Sequence, residues 1–148
     1  MSGEIVQIDI KYLPGAMHMQ QIDKGGCIDA YVYEDTFIKA GTHGLVNLGF
    51  SCKLPKGWDA WLIPCRSSSR KRYKIRGITG YIDNSYNGND DIWYASIEAC
   101  DEDVFLPAGT RAFQWRLVPA QPTIIFNQVA NLNESNRGGF GEGTRDLD

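Results

Sequence analysis

The chain has 148 residues, 43% hydrophobic, 11% aromatic and 22% charged, a length and balance that predict one compact domain with its own core and exclude a disordered or fibrous chain. A net charge of −3 excludes a protein that coats nucleic acid through its overall field, so any anion site must be local. Glu4, Asp9 and Lys11 interrupt the N-terminus, and apolar runs such as 60–63 stop far short of the ~20 residues that span a bilayer. Neither an export signal nor a membrane anchor is expected, and the expected compartment is a cytoplasm, that of the host if the chain is encoded by a virus or phage.

In chain order, period-two alternation predicts strands. Val6, Ile8 and Ile10 share one face, and similar runs cover 27–33, 45–53, 59–63, 73–82, 92–99 and 111–118. Gly- and Pro-bearing turns separate them, among them Leu13-Pro14-Gly15, Lys39-Ala40-Gly41 and Leu54-Pro55-Lys56-Gly57. No stretch of about twelve residues carries a helical stripe. The spacing predicts an all-β, jelly-roll-like sandwich or barrel with at most one short helix, starting near Ser67. Phe37-Ile38-Lys39-Ala40-Gly41-Thr42 echoes Phe105-Leu106-Pro107-Ala108-Gly109-Thr110, but six residues are too few to establish a repeat and read as two similar turns. Trp58, Trp61 and Trp115 read as core or subunit-contact residues, and Tyr73, Trp93 and Tyr94 as an exposed region. From Asn127 the composition turns to Asn, Gly, Ser and charged residues. This divides the chain into a β domain, 1–126, and a flexible Gly-rich arm, 127–148. Phe140, framed by Gly138, Gly139 and Gly141, is an aromatic able to close over a flat ring.

Cys27, Cys52, Cys65 and Cys100 are irregularly spaced without a C-x-x-C pair, and only His18 and His43 could join them. The pattern predicts reduced, mostly buried thiols rather than a zinc site or disulfides.

Between Asp59 and Asp83 stand Arg66, Arg70, Lys71, Arg72, Lys74 and Arg76 and no acidic residue. For 70–74 the run reads equally as the solvated face of a strand. Arg66 differs because Ser67, Ser68 and Ser69 follow it, and hydroxyls and turn amides beside a guanidinium suit a phosphate. Gly80-Tyr81-Ile82-Asp83-Asn84-Ser85-Tyr86-Asn87-Gly88 reads as a strand end and tight hairpin. Asp83 there is either a general base acting on water or an Asx cap of the turn. Asp29 interrupts the strand-like 27–33, and a charge so placed needs a hard cation or an Arg as partner.

Taken together and in order, these segments resemble the five motifs of the homotrimeric dUTP pyrophosphatases (dUTPases). The first is Gly25-Gly26-Cys27-Ile28-Asp29-Ala30, the second Pro64-Cys65-Arg66-Ser67-Ser68, and the third the 80–88 hairpin. The fourth is Gly109-Thr110-Arg111-Ala112-Phe113-Gln114 and the fifth Arg137-Gly138-Gly139-Phe140-Gly141. The chain departs from the family pattern at Cys27, Cys65, Ser85 and Asn87, and at Glu142-Gly143-Thr144, where a Ser/Thr-rich phosphate cradle is usual.

The resemblance implies a jelly-roll trimer that hydrolyses dUTP to dUMP and pyrophosphate, with active sites shared between subunits and a C-terminal arm that closes over substrate. It implies Asp83 as activator of the attacking water and Asp29 near a Mg²⁺ that bridges the phosphates. Arg66, Ser67, Ser68 and Gln114 are implied to hold phosphate oxygens, and Arg137 the terminal phosphates. The backbone of Gly80 and Ile82 is implied to read the uracil edge, Tyr86 to pack beneath the deoxyribose, and Phe140, beside Gly141, to stack on the base. Two rivals remain: a dCTP deaminase, for which Glu98 is the candidate catalytic acid, and a nucleotide-dependent binding module that signals to a protein partner. Direct nucleic-acid binding is not expected, because the 66–76 run holds one aromatic and the chain is net negative.

Overall fold

The computed structural model describes residues 4–64 and 67–139, and for 67–69 the backbone alone. The described residues form β1 (Asp9–Tyr12), β2 (Ile28–Tyr31), β3 (Thr36–Ile38), β4 (His43–Asn47), β5 (Phe50–Lys53), β6 (Trp58–Ile63), α1 (Ser67–Tyr73), β7 (Ile75–Ile78), β8 (Gly80–Ile82), β9 (Tyr94–Ala99), β10 (Val104–Leu106) and β11 (Arg111–Pro119). Their strands pair antiparallel into a sheet of order β2-β11-β6-β8, a second of order β4-β9-β7, and the pairs β1-β5 and β3-β10. This is the expected all-β architecture, and the single helix starts at Ser67 as expected.

Alternation works as a strand should: in β9, Ala95, Ile97 and Ala99 are buried while Tyr94, Ser96 and Glu98 face outward. These residues join Ala60 and Leu62 of β6 and Phe113 and Trp115 of β11 in one core. Phe50, Trp93 and Trp115 form its aromatic centre, with ring centroids 4.9 Å apart for Phe50–Trp93 and 5.3 Å apart for Trp93–Trp115. Trp93 is therefore not the surface residue that its run of neighbours suggested: it is 0% exposed. It lies just before β9, with its backbone bonded to Phe50 and Leu48, which turns the indole inward. Its Nε1 has no hydrogen-bond partner. Tyr73 packs half-buried against the core, and Tyr94 alone of the three is exposed. Trp115 is buried as expected, whereas Trp58 is half-buried and Trp61 exposed.

Two expected strands are each broken, for the same reason. The run 45–53 passes from β4, paired with β9, to β5, paired with β1, at Gly49; the run 73–82 passes from β7, paired with β9, to β8, paired with β6. Both sheets face the same core, so apolar alternation continues unbroken through a corner at which the chain changes sheet. The first residues of 73–82 also belong to α1, which ends before Lys74 at φ 54°. Val6 and Ile8 precede β1 rather than forming part of it.

β3 and β10, too short to show alternation, are the two halves of the sequence echo. They pair with each other, Phe37 opposite Phe105, and the turns after them repeat in detail. Thr42 N–H and hydroxyl both donate to the Lys39 carbonyl, and Thr110 N–H and hydroxyl to that of Pro107. The Ala40 amide donates to Asp103 and the Ala108 amide to Asp35, each at 2.8 Å. The echo is thus a local two-fold arrangement in which each half caps the other.

Cys27, Cys52 and Cys100 are free thiols, and Cys65 lies outside the described residues. Burial pushes the Cys52 thiol up to about 12. Among the described residues no helix is long and apolar enough to cross a membrane. After β11 the Ala120 amide donates to Gly57, and residues 121–138 lie in neither helix nor strand. This segment leaves Ile125 88% and Phe126 92% exposed.

The corner at Gly49 is tight. Its φ is +80°, and a Cβ there would lie 2.8 Å from Tyr33 Cδ1 and 3.1 Å from Ala16 Cβ. Gly49→Ala is expected to destabilise the protein by about 2–4 kcal/mol through backbone strain and overpacking together, read as a lowered denaturant midpoint with an unchanged m-value.

Candidate active site

β8 is an edge strand, paired through Gly80 and Ile82 with Leu62 and Ala60 of β6, and its other edge has no strand neighbour among the described residues. Asp83 follows at once and closes a turn: its Oδ1 accepts the Ser85 amide at 2.8 Å and its carbonyl the Tyr86 amide at 2.9 Å. The Ser85 amide first, and then the Ser85 hydroxyl, hold the Asp83 carboxyl below the ordinary carboxylate range. Of the two readings left open for Asp83, the Asx turn is present, and its bond from Ser85 orients the carboxylate.

Further bonds stiffen the loop. Tyr86 donates its hydroxyl to the Ile92 carbonyl at 2.7 Å, and Gly88 and Asp91 bond reciprocally, amide to carboxylate at 2.8 Å and amide to carbonyl at 3.1 Å. Burial raises the Tyr86 phenol, with Asp91 and Tyr94 adding to the shift. Ile82, Asp83, Tyr86, Trp93 and Tyr94 line a cleft of about 430 Å³, large enough for part of a nucleotide.

Behind the loop stands Asp59 of β6, 4% exposed. Its Oδ2 accepts the Tyr81 hydroxyl at 2.5 Å and its Oδ1 the Asn84 amide at 2.9 Å. The Tyr81 phenol is raised chiefly by this bond. Sequence reasoning missed Asp59, although it carries the same signal that marked Asp29: a lone acid in an apolar strand.

Asp29, Gln114 and the approach to α1 gather at another corner. Gln114 lies directly opposite Asp29 on one side and Ile63 on the other, and Ile63 leads to Ser67. Asp29 has an Arg as partner, with the Arg111 guanidinium 3.7 Å from its Oδ2. Side chains of Ser67 and Ser68, and all of Arg66, Phe140 and Gly141, lie outside the described residues. Arg137 is exposed on the extended segment. Asp29 and Asp83 are three strand spacings and four residue steps apart in the same sheet, roughly 14 Å across and 13 Å along, or about 19 Å. One chain does not bring them together.

A carbon-detected NMR titration of the Asp83 carboxyl should show a midpoint below the ordinary value of ~3.9. Because a depressed carboxyl favours the folded state above that value, the stabilisation should fade only as the pH drops through the lowered midpoint. A midpoint at or above ~3.9 would remove the Ser85 clamp from the account.

The dUTPase family model matches residues 17–144. A curated relative, the SPbeta prophage-derived deoxyuridine 5'-triphosphate nucleotidohydrolase YosS of Bacillus subtilis, is 34% identical over 139 residues, covering 92% of this chain and 96% of the relative. The Staphylococcus bacteriophage 80alpha dUTPase solved with dUPNHPP superposes with a TM-score of 0.80 at 17% identity, covering 95% of this chain and 99% of that one. A point mutant of the dUTPase of phage phi11 of S. aureus, described as coordinating a structural Mg(II) ion, superposes with a TM-score of 0.73 at 16% identity over 85% and 98% of the two chains.

Proposed function

Because this chain belongs to the dUTPase family, we propose that it hydrolyses dUTP to dUMP and pyrophosphate, with Asp83 as the base that activates the attacking water. The observation that carries the assignment to Asp83 is its place: the carboxylate, oriented by Ser85, stands at the lip of the cleft beside a strand edge that has no neighbour among the described residues. Asp83 takes the water proton as the oxygen attacks the α-phosphorus, and the bond from that phosphorus to the bridging oxygen breaks in line, releasing pyrophosphate. The open edge of β8 offers the amides and carbonyls of Gly80–Ile82 for the uracil rim, where an analogue with the wrong donors leaves buried groups unpaired. Tyr86, anchored through its hydroxyl, presents its ring as a floor for the deoxyribose, where a 2′-hydroxyl does not fit.

Gln114, Ser67, Ser68 and Arg66 act as phosphate contacts, Arg137 meets the terminal phosphates, and Phe140 stacks on the base beside Gly141 as the 127–148 arm closes. Asp29 suits Mg²⁺ as a hard oxygen donor, and an ion held chiefly by three phosphates and water needs no protein cage. When bound, that ion relieves charge on the phosphoryl group under attack.

The site is shared in a homotrimer. Two points support this: the strand registers, which at ordinary sheet spacings put Asp29 and Asp83 about 19 Å apart, and the apolar row Ile124, Ile125, Phe126, Val129 and Leu132, which is exposed among the described residues and which another copy would cover.

Neither rival gains support. Glu98 stands opposite His43 and Arg76, four residues along β9 from Tyr94, the point at which that strand reaches the cleft, which is roughly 13 Å. The exposed surface invoked for a signalling module loses Trp93 to the core.

With Mg²⁺, pyrophosphate release is expected from dUTP and not from dCTP, dTTP or UTP, and truncation after Asn136 should abolish it. Asp83→Asn should lower kcat by ~10²-fold or more with nucleotide binding retained; an unchanged kcat would remove Asp83 as the base. Refolding the truncated chain together with full-length Asp83→Asn should restore partial activity, because mixed trimers rebuild some complete sites. Absence of any recovery in trimers shown to be mixed would contradict sharing.

A further inference from the structure

β6 reads Trp-Asp-Ala-Trp-Leu-Ile, with Asp59 its lone ionisable residue. A carboxylate buried to this degree is retained only where its oxygens are satisfied, and here both are bonded, each to the same loop. Oδ2 holds the Tyr81 hydroxyl and Oδ1 the Asn84 amide. Those two residues bracket Ile82 and Asp83. The segment that carries the proposed base is therefore pinned on both sides to one atom group near the start of β6, where Asp59 stands opposite Val118 of β11 and one residue before the pairing with β8 begins.

The bonds differ in kind. The Asn84 amide sets the backbone immediately after Asp83. The Tyr81 hydroxyl sets the strand immediately before it, through a phenol oxygen donating to a carboxylate at the short distance expected of a charge-assisted bond. Ser85 orients the Asp83 carboxylate within the turn, and the bonds of Tyr86 to Ile92 and of Ser51 to Asn89 hold the loop farther along, but none of these fixes the backbone on either side of Asp83 against β6. Asp59 supplies that restraint.

We infer that Asp59 is a positioning residue for the hydrolytic step, holding Asp83 in line with the α-phosphate through the Tyr81 hydroxyl and the Asn84 amide. The inference rests on the reading of Asp83 as the base. Attack geometry tolerates little: a displacement of about 1 Å costs on the order of 10²-fold in rate, whereas the phosphate contacts lie on other elements and keep hold of the nucleotide even though its uracil and deoxyribose contacts move with the tilt. The loss should therefore fall on kcat more than on KM.

The test compares the full-length wild type with Tyr81→Phe, Asp59→Ala and Asp59→Asn, each corrected for the number of sites titrated with a non-hydrolysable dUTP analogue. Tyr81→Phe keeps the ring and deletes one bond; it should lower kcat ~10-fold with KM within ~3-fold. Asp59→Ala should lose ~30-fold or more, and Asp59→Asn, whose amide can accept from Asn84 and donate to Tyr81, should stay within ~3-fold of wild type. In an Asp83→Asn background the Asp59→Ala change should cost almost nothing further, since both act through one group; a merely structural role would multiply the two losses.

Should Asp59→Ala fail to fold, Tyr81→Phe carries the test alone. Unchanged kcat in Tyr81→Phe at full site occupancy, or a loss confined to site count, overturns the inference while leaving the proposed reaction intact. A wild type that releases no pyrophosphate from dUTP overturns both.

Discussion

The pairing of β11 on both of its edges is the constraint from which the rest of the molecule follows. Its later part, from Gln114 to Pro119, is bonded to β6 and its earlier part, from Arg111 to Trp115, to β2, so that Gln114 and Trp115 are paired on both sides. Backbone amides and carbonyls that would otherwise have to remain hydrated are thus satisfied internally. Because side chains alternate, this register sends Phe113 and Trp115 into the core and leaves Gln114 beside Asp29 on the opposite face. A slip of one residue would exchange the two sets, emptying the core of its largest aromatics and dissolving the Asp29–Gln114 corner in the same stroke. β6 carries the register onward to β8, so the Asp83 turn inherits its place from a strand with which it does not pair.

Much of this was legible in residue order because it is local. Alternation found β2, β6, β9 and β11, and the Asn- and Gly-rich 80–88 segment marked a turn, though not the hairpin expected there: β8 pairs with β6 and the chain passes from the loop to β9 in the other sheet. The short helix expected near Ser67 starts there. What escaped notice is non-local. The corners at Gly49 and between β7 and β8 leave no mark in the hydrophobic pattern, because both sheets look onto one core. Trp93 resembles a surface aromatic until Phe50 and Leu48 are brought beside it. Asp59 could have been flagged as an acid out of place, but its partners lie 22 and 25 residues away and only the β6–β8 register brings them within reach. The motif residues of the candidate site were readable one by one; their division between two corners of the sheet was not.

The echo of Phe37–Thr42 in Phe105–Thr110 shows how a short likeness can carry structural meaning without being a repeat of the fold. Each segment ends a strand with a Gly of positive φ, at 74° for Gly41 and 85° for Gly109, and a Thr that closes the turn on itself. Each then borrows an aspartate from the other's approach. The two turns satisfy one another's amides at a place where strands of three residues have little else to offer. Similar sequences arise here because the same local problem is solved twice, face to face.

The bare row from Ile124 to Leu132 bears on time as well as on structure. In the proposed trimer, every newly synthesised chain would pass through an interval in which those side chains face water, and the interval would shorten as the supply of fellow chains rises. A burst of synthesis carries the population through it quickly; a trickle leaves each chain waiting, open to proteases and to promiscuous sticking. The pace of translation thus helps to decide how much of the protein survives to fold into its final form, and production at low yield selects against it in a way that no measure of the finished molecule's stability would reveal.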